Sequence, residues 1–129
     1  MKRTGVVLTC LMLLPLLNFA QDKAAQITAD VDYGFYVGGQ YVSAGTYEFK
    51  PTVDGTKTTM SVLNRQTNET IVVPIITTIS KRLPAIGEVV FDHEGYDYYL
   101  AEIFIPGTDG FLIRAAPGKH SHYIVKANK

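Results

Sequence analysis

The chain holds one cysteine, Cys10, and no tryptophan in 129 residues. Cys10 lies in the apolar start of the chain, so the remainder has no disulfide and no thiol chemistry and must be held by its core and its sheet hydrogen bonds. No apolar run reaches the roughly 20 residues of a membrane-spanning helix. Lysines and arginines are scattered with no run longer than two, so no basic block tracks a phosphate backbone, which argues against a nucleic-acid partner. Catalytic signatures are missing as well: there is no Gly-x-Ser-x-Gly elbow, no P-loop and no dinucleotide fingerprint.

What is present begins with a leader. Lys2 and Arg3 precede an apolar stretch from Val6 to Leu17, and Asn18-Phe19-Ala20 leads into Gln21, the layout of a secretory signal peptide with cleavage expected after Ala20 and Ala24 or Ala25 as the alternative sites. Val7-Leu8-Thr9-Cys10 is not a lipid-attachment box, because Thr stands where a small residue is usual and the apolar run continues past the cysteine. The expectation is an exported protein, periplasmic or secreted, with no integral membrane span once the leader is gone. Residues 21–129 are long enough for one domain and too short for two. Losing Lys2 and Arg3 turns a neutral chain slightly acidic.

From Val31 onward the residues alternate. Val31, Tyr33, Phe35 and Val37 face one way as a single strand, and Gly38-Gly39 breaks it. Tyr47 and Phe49 give the strand at 46–50 a buried face, and Asp54-Gly55 marks a hairpin. Ile71 to Ser80 reads as one rich, central strand with a bulge or an unpaired position at Pro74. Strands follow at 88–93, 96–105, 111–115 and 120–126, with Glu94-Gly95, Pro106-Gly107 and Pro117-Gly118 at the breaks. About eight short strands with Gly or Pro at nearly every junction predict an all-β fold, an antiparallel β-sandwich or small β-barrel behind a signal-peptide helix. Several strands are too short and polar for an outer-membrane barrel.

Phe35-Tyr-Val-Gly-Gly-Gln-Tyr-Val-Ser-Ala-Gly-Thr-Tyr47, with Val89-Val90-Phe91 and Tyr98-Tyr99-Leu100-Ala101-Glu102-Ile103, resembles small exported bacterial all-β proteins of unassigned function. Their first hairpin usually carries Gly-x-x-Leu-Pro-Ala-Gly-x-Tyr, where this chain has Val42-Ser43 in place of Leu-Pro. The resemblance implies an exported β module and brings no activity. In that hairpin, Gly45 stands where a left-handed or tight-turn residue is needed, and Tyr47 begins the return strand with its ring inward.

Three constellations offer chemistry. His120 and His122 alternate on one strand, so both imidazoles project from one face within reach of one zinc or copper ion. His93 is the expected third ligand, with Asp92, Glu94, Asp109 and Glu102 as alternatives; solvated histidines at a polar strand entry are the plainer reading. Among eight tyrosines, Tyr36, Tyr41, Tyr96 and Tyr98 form an expected ligand platform, against the plainer role of filling core and rim. Glu102 interrupts the face of Tyr98, Leu100 and Phe104, making it a cleft carboxylate that pairs with Asp92 in a glycan-hydrolase reading, or a sheet-edge residue. Ser121 has histidines on either side, but their rings point away from it on a strand, so serine catalysis is excluded. The leading expectation is a non-enzymatic binding or structural module of the envelope or extracellular space, with a protein or glycan partner. Metal binding is the alternative and glycan hydrolysis the third.

Overall fold

The computed structural model describes residues 25–80 and 85–128, so the leader expected at residues 1–20 lies outside the described residues. In chain order the strands are β1 (Ile27–Val31), β2 (Phe35–Val37), β3 (Gln40–Val42), β4 (Gly45–Asp54), β5 (Lys57–Asn64), β6 (Thr70–Pro74), β7 (Thr77–Ile79), β8 (Glu88–Glu94), β9 (Asp97–Phe104), β10 (Gly110–Leu112) and β11 (Ser121–Lys126). Among the described residues there is no helix long and apolar enough to cross a membrane.

The strands form two sheets. One runs β1-β4-β5-β6, all antiparallel. The other runs β11-β8-β9-β10-β7, and β2 joins β9 in parallel at Tyr36 and Tyr99, with β3 folded back on β2. A single core cluster takes Tyr47, Phe49, Met60 and Val62 from the first sheet and Phe35, Val37, Phe91, Leu100 and Ile103 from the second. Two sheets closing on one apolar layer make a sandwich. Phe35 ties the layers together, its ring edge-on to Tyr47 of the facing sheet at 5.1 Å and to Phe91 of its own at 5.0 Å.

The turns follow their residues. Gly38 and Gly39 both take positive φ (57° and 95°) between β2 and β3, the conformation of a two-residue hairpin loop. Gly55 and Gly95 do the same at the expected Asp54-Gly55 and Glu94-Gly95 turns. Gly45 does not: it opens β4 in ordinary strand conformation and its left-handed role is not needed. A Cβ there would stand 3.0 Å from the Gln66 Oε1 that accepts the Thr46 N–H, so close approach is the feature that suits glycine.

Two expected strands are each divided between the sheets. The run from Val31 to Val37 bends at Asp32-Tyr33-Gly34, leaving β1 in one sheet and β2 in the other. The run from Ile71 to Ser80 stops pairing after Pro74 and resumes as β7 across the sandwich. Neither half of the latter is central: β6 and β7 are edge strands, and Val72 and Ile76 are each 59% exposed. Proline has no N–H for a further ladder bond, which confines it to an edge. Alternation cannot register such a crossing, because an inward position in either sheet faces the same core.

Tyr33, at the first crossing, stacks on Tyr98 at 3.9 Å and meets the Phe91 ring edge-on. Its hydroxyl is buried without a hydrogen-bond partner, and burial, reinforced by neighbouring Tyr98, pushes its pKa up to about 12. Tyr33→Phe is therefore expected to raise stability by about 1 kcal/mol in urea titrations near neutral pH, since an unsatisfied buried group is removed. An unfolded tyrosine ionises near pH 10 while folded Tyr33 keeps its proton to about 12. Ionisation of Tyr33 thus leaves stability unchanged below about pH 10 and lowers it as pH rises from there toward 12. Burial shifts Tyr47, Tyr98 and Tyr99 the same way, so the variant should show a shallower alkaline decline rather than none. Superimposable pH–stability curves for the two proteins would contradict this.

Candidate metal centre

β8 turns Val90, Asp92 and Glu94 to the outer face of its sheet and Val89 and Phe91 to the core. β11 lies antiparallel beside it with His122 opposite Asp92 and Ser121 opposite His93. His122 shares the outer face, and His120, one residue ahead of β11, returns to it. His122 Nε2 stands 3.2 Å from Asp92 Oδ1 and His120 Nε2 stands 3.7 Å from the same oxygen. The two rings are 5.0 Å apart, and one donor atom from each of the three residues lies within 4.8 Å of the others. Asp92 is 2% exposed, whereas the side chains of His120 and His122 are 29% and 47% exposed.

Gly118 sets the tautomer of His120. Its carbonyl lies 2.8 Å from Nδ1, and a carbonyl only accepts, so Nδ1 carries the proton and the neutral ring presents a lone pair at Nε2. That lone pair faces the carboxylate oxygen of Asp92.

Asp92 is oriented by its other oxygen. Arg114 Nη1 donates to Asp92 Oδ2 and to Glu94 Oε2, each at 3.0 Å. The Arg114 guanidinium lies over the Tyr99 ring at 4.0 Å, Tyr99 stacks on Tyr36 at 5.2 Å, and Tyr36 meets Tyr41 edge-on at 5.3 Å. His122, Asp92, Tyr99, Tyr36 and Tyr41 are consecutive register partners across β11, β8, β9, β2 and β3. One transverse row thus runs from the imidazoles to the tyrosines. Arg114 reaches it because the backbone N–H groups of Ile113 and Arg114 both donate to the Ala101 carbonyl, at 2.7 and 3.2 Å. Ala101 is the extra residue of a β-bulge, where the register steps from Val90↔Glu102 to Phe91↔Leu100.

Of the three histidines, the structure brings His120 and His122 together and leaves His93 apart. His93 stacks on Tyr98 at 4.4 Å and meets Tyr123 edge-on at 5.0 Å, on the face opposite its neighbour Asp92. Asp92, rather than His93, is the residue that meets both imidazoles. The tyrosine platform does not assemble: Tyr36 and Tyr41 touch, but Tyr98 stacks with Tyr33 and His93 on the other face, and Tyr96 is 98% exposed at a turn. Tyr99, not expected in the site, is the tyrosine that joins Tyr36. Glu102 is turned away from the face of Tyr98 and Leu100 by the bulge at Ala101, so it lies outward opposite Val90 and Leu112 and does not interrupt that inward row. Arg114 and the Gly118 carbonyl carry no local sequence signal for their roles, since both depend on contacts made across the sheet. Comparison with family models, with curated proteins and with solved structures returned no match.

Proposed function

We propose that this chain is an exported, non-enzymatic β-sandwich that binds a divalent transition metal ion, zinc or copper, through Asp92, His120 and His122. The carrying observation is the convergence of two imidazole Nε2 atoms on one buried carboxylate oxygen. Zinc bonds to nitrogen and oxygen are about 2.0–2.2 Å long, so donors on a tetrahedral ion stand about 3.3–3.5 Å apart. The His–Asp separations of 3.2 and 3.7 Å bracket that spacing before any ion draws the side chains in. The surroundings fit the same purpose. Gly118 fixes the His120 tautomer and Arg114 holds the second oxygen of Asp92, the kind of outer contact that orients metal ligands. Export is supported by the leader pattern in the first 20 residues, and a binding rather than catalytic role by the missing catalytic motifs.

Equilibrium dialysis against zinc and against copper tests the reading. One ion per chain is expected in the unaltered protein and in His93→Ala, with specific retention lost in His120→Ala/His122→Ala and in Asp92→Ala. Equal retention by the double variant would end the proposal.

A further inference from the structure

Resting on that metal reading, we propose that the loaded centre also binds an anionic oxygen donor, a carboxylate or a phosphate-type group, in a coordination position open to solvent. The donor cluster borders solvent: Asp92 is 2% exposed, while the imidazoles are 29% and 47% exposed. Among the described residues, no fourth histidine, cysteine or carboxylate joins this cluster of donor atoms. Glu94, two residues along the same strand face, gives its carboxylate to Arg114 instead. A zinc site with three protein ligands keeps a position for water or an incoming ligand, in contrast to closed four-ligand structural sites.

Charge decides which ligand. Asp92 and Glu94 against Arg114 leave the metal-free site with one net negative charge, which repels anions. A divalent ion reverses this to one net positive charge. The bound ion would then be the largest local charge, facing water on one side. Anion binding is accordingly conditional on metal: the same surface rejects an anion when empty of the ion and captures it when loaded.

The test replaces zinc with cobalt(II), whose visible absorption reports its coordination sphere, in the full protein. Titrations with acetate and with methylphosphonate run at an ionic strength held constant with perchlorate. Cobalt bands that are missing in His120→Ala/His122→Ala and that shift saturably with either anion are the expected result. The anion that saturates at lower concentration identifies the carboxylate or the phosphate-type source. Bands that form but move with neither anion would overturn the open position and leave the metal reading standing. Failure to retain cobalt or zinc at all in dialysis would overturn the metal reading itself.

Discussion

Zinc at about a hundredfold excess over its dissociation constant should raise the melting midpoint of this protein by about 10 °C or more, and His120→Ala/His122→Ala should lose that rise entirely. A ligand that binds only the folded state adds about 2.7 kcal/mol at that saturation. Each kcal/mol moves the midpoint of a domain near 100 residues by about 4–8 °C. The donors come from β8, from the segment that leads into β11 and from β11 itself, so they are assembled only when those elements are paired. The unfolded chain offers His-x-His without Asp92 and binds far more weakly. The double variant should melt near the metal-free protein, because both imidazoles are partly exposed and their removal opens no cavity in the core. Lowering the pH should reduce the zinc-dependent increment, since metal and protons compete for the same ring nitrogens. Scanning calorimetry with and without zinc reads all of this, and an increment that survives in the double variant would assign the binding elsewhere.

Arg114→Ala should be strongly destabilising, costing about 3 kcal/mol in metal-free protein. Asp92 is 2% exposed and Arg114 donates to one of its oxygens. Removing one partner of a buried ion pair leaves the other charge uncompensated, at about 3–5 kcal/mol; the lower end applies because Arg114 itself is 25% exposed and solvent shares in the pairing. Arg114→Lys should recover only part of the loss. An ammonium keeps the charge but lacks the planar group that lies over Tyr99 and serves Asp92 and Glu94 together. Zinc should offset much of the Arg114→Ala penalty, because the ion supplies Asp92 with a new counter-charge. Urea titrations of Arg114→Ala, Asp92→Asn and the double variant, each with and without zinc, form a cycle that isolates the pair. A cost under about 0.5 kcal/mol for Arg114→Ala would mean that the ion pair does not hold Asp92.

The parts of the fold legible in the sequence are those with a local cause. Tyr47 and Phe49 point inward because a strand alternates, and they are 2% and 0% exposed in the core. Asp54-Gly55 and Glu94-Gly95 turn where a positive φ is wanted. The shared face of His120 and His122 follows from the same two-residue period and carries into the observed pair. Alternation misleads where a bulge intervenes. Tyr98, Leu100, Glu102 and Phe104 look like one row, yet the extra residue Ala101 sends Glu102 and Phe104 to the other face from Leu100. It is equally silent where the chain changes sheets at 32–34 and at 75–76, as both sheets share one core.

The residue that meets the paired imidazoles shows the division most directly. Asp92 and His93 are adjacent, and either suits a metal; the chain alone determined that only one of them shares a face with Val90 and Glu94, without telling which face β11 presents. Tertiary structure decided it by setting β11 against β8 in the register that puts His122 opposite Asp92. It also brought Arg114 across the sheet to hold that carboxylate. Local sequence determined the alternating faces, the Asp54-Gly55 and Glu94-Gly95 turns and the paired imidazoles, because backbone geometry repeats every two residues. The partner of each strand, its register and therefore the make-up of the site were decided by long-range packing of the core, which no local pattern encodes.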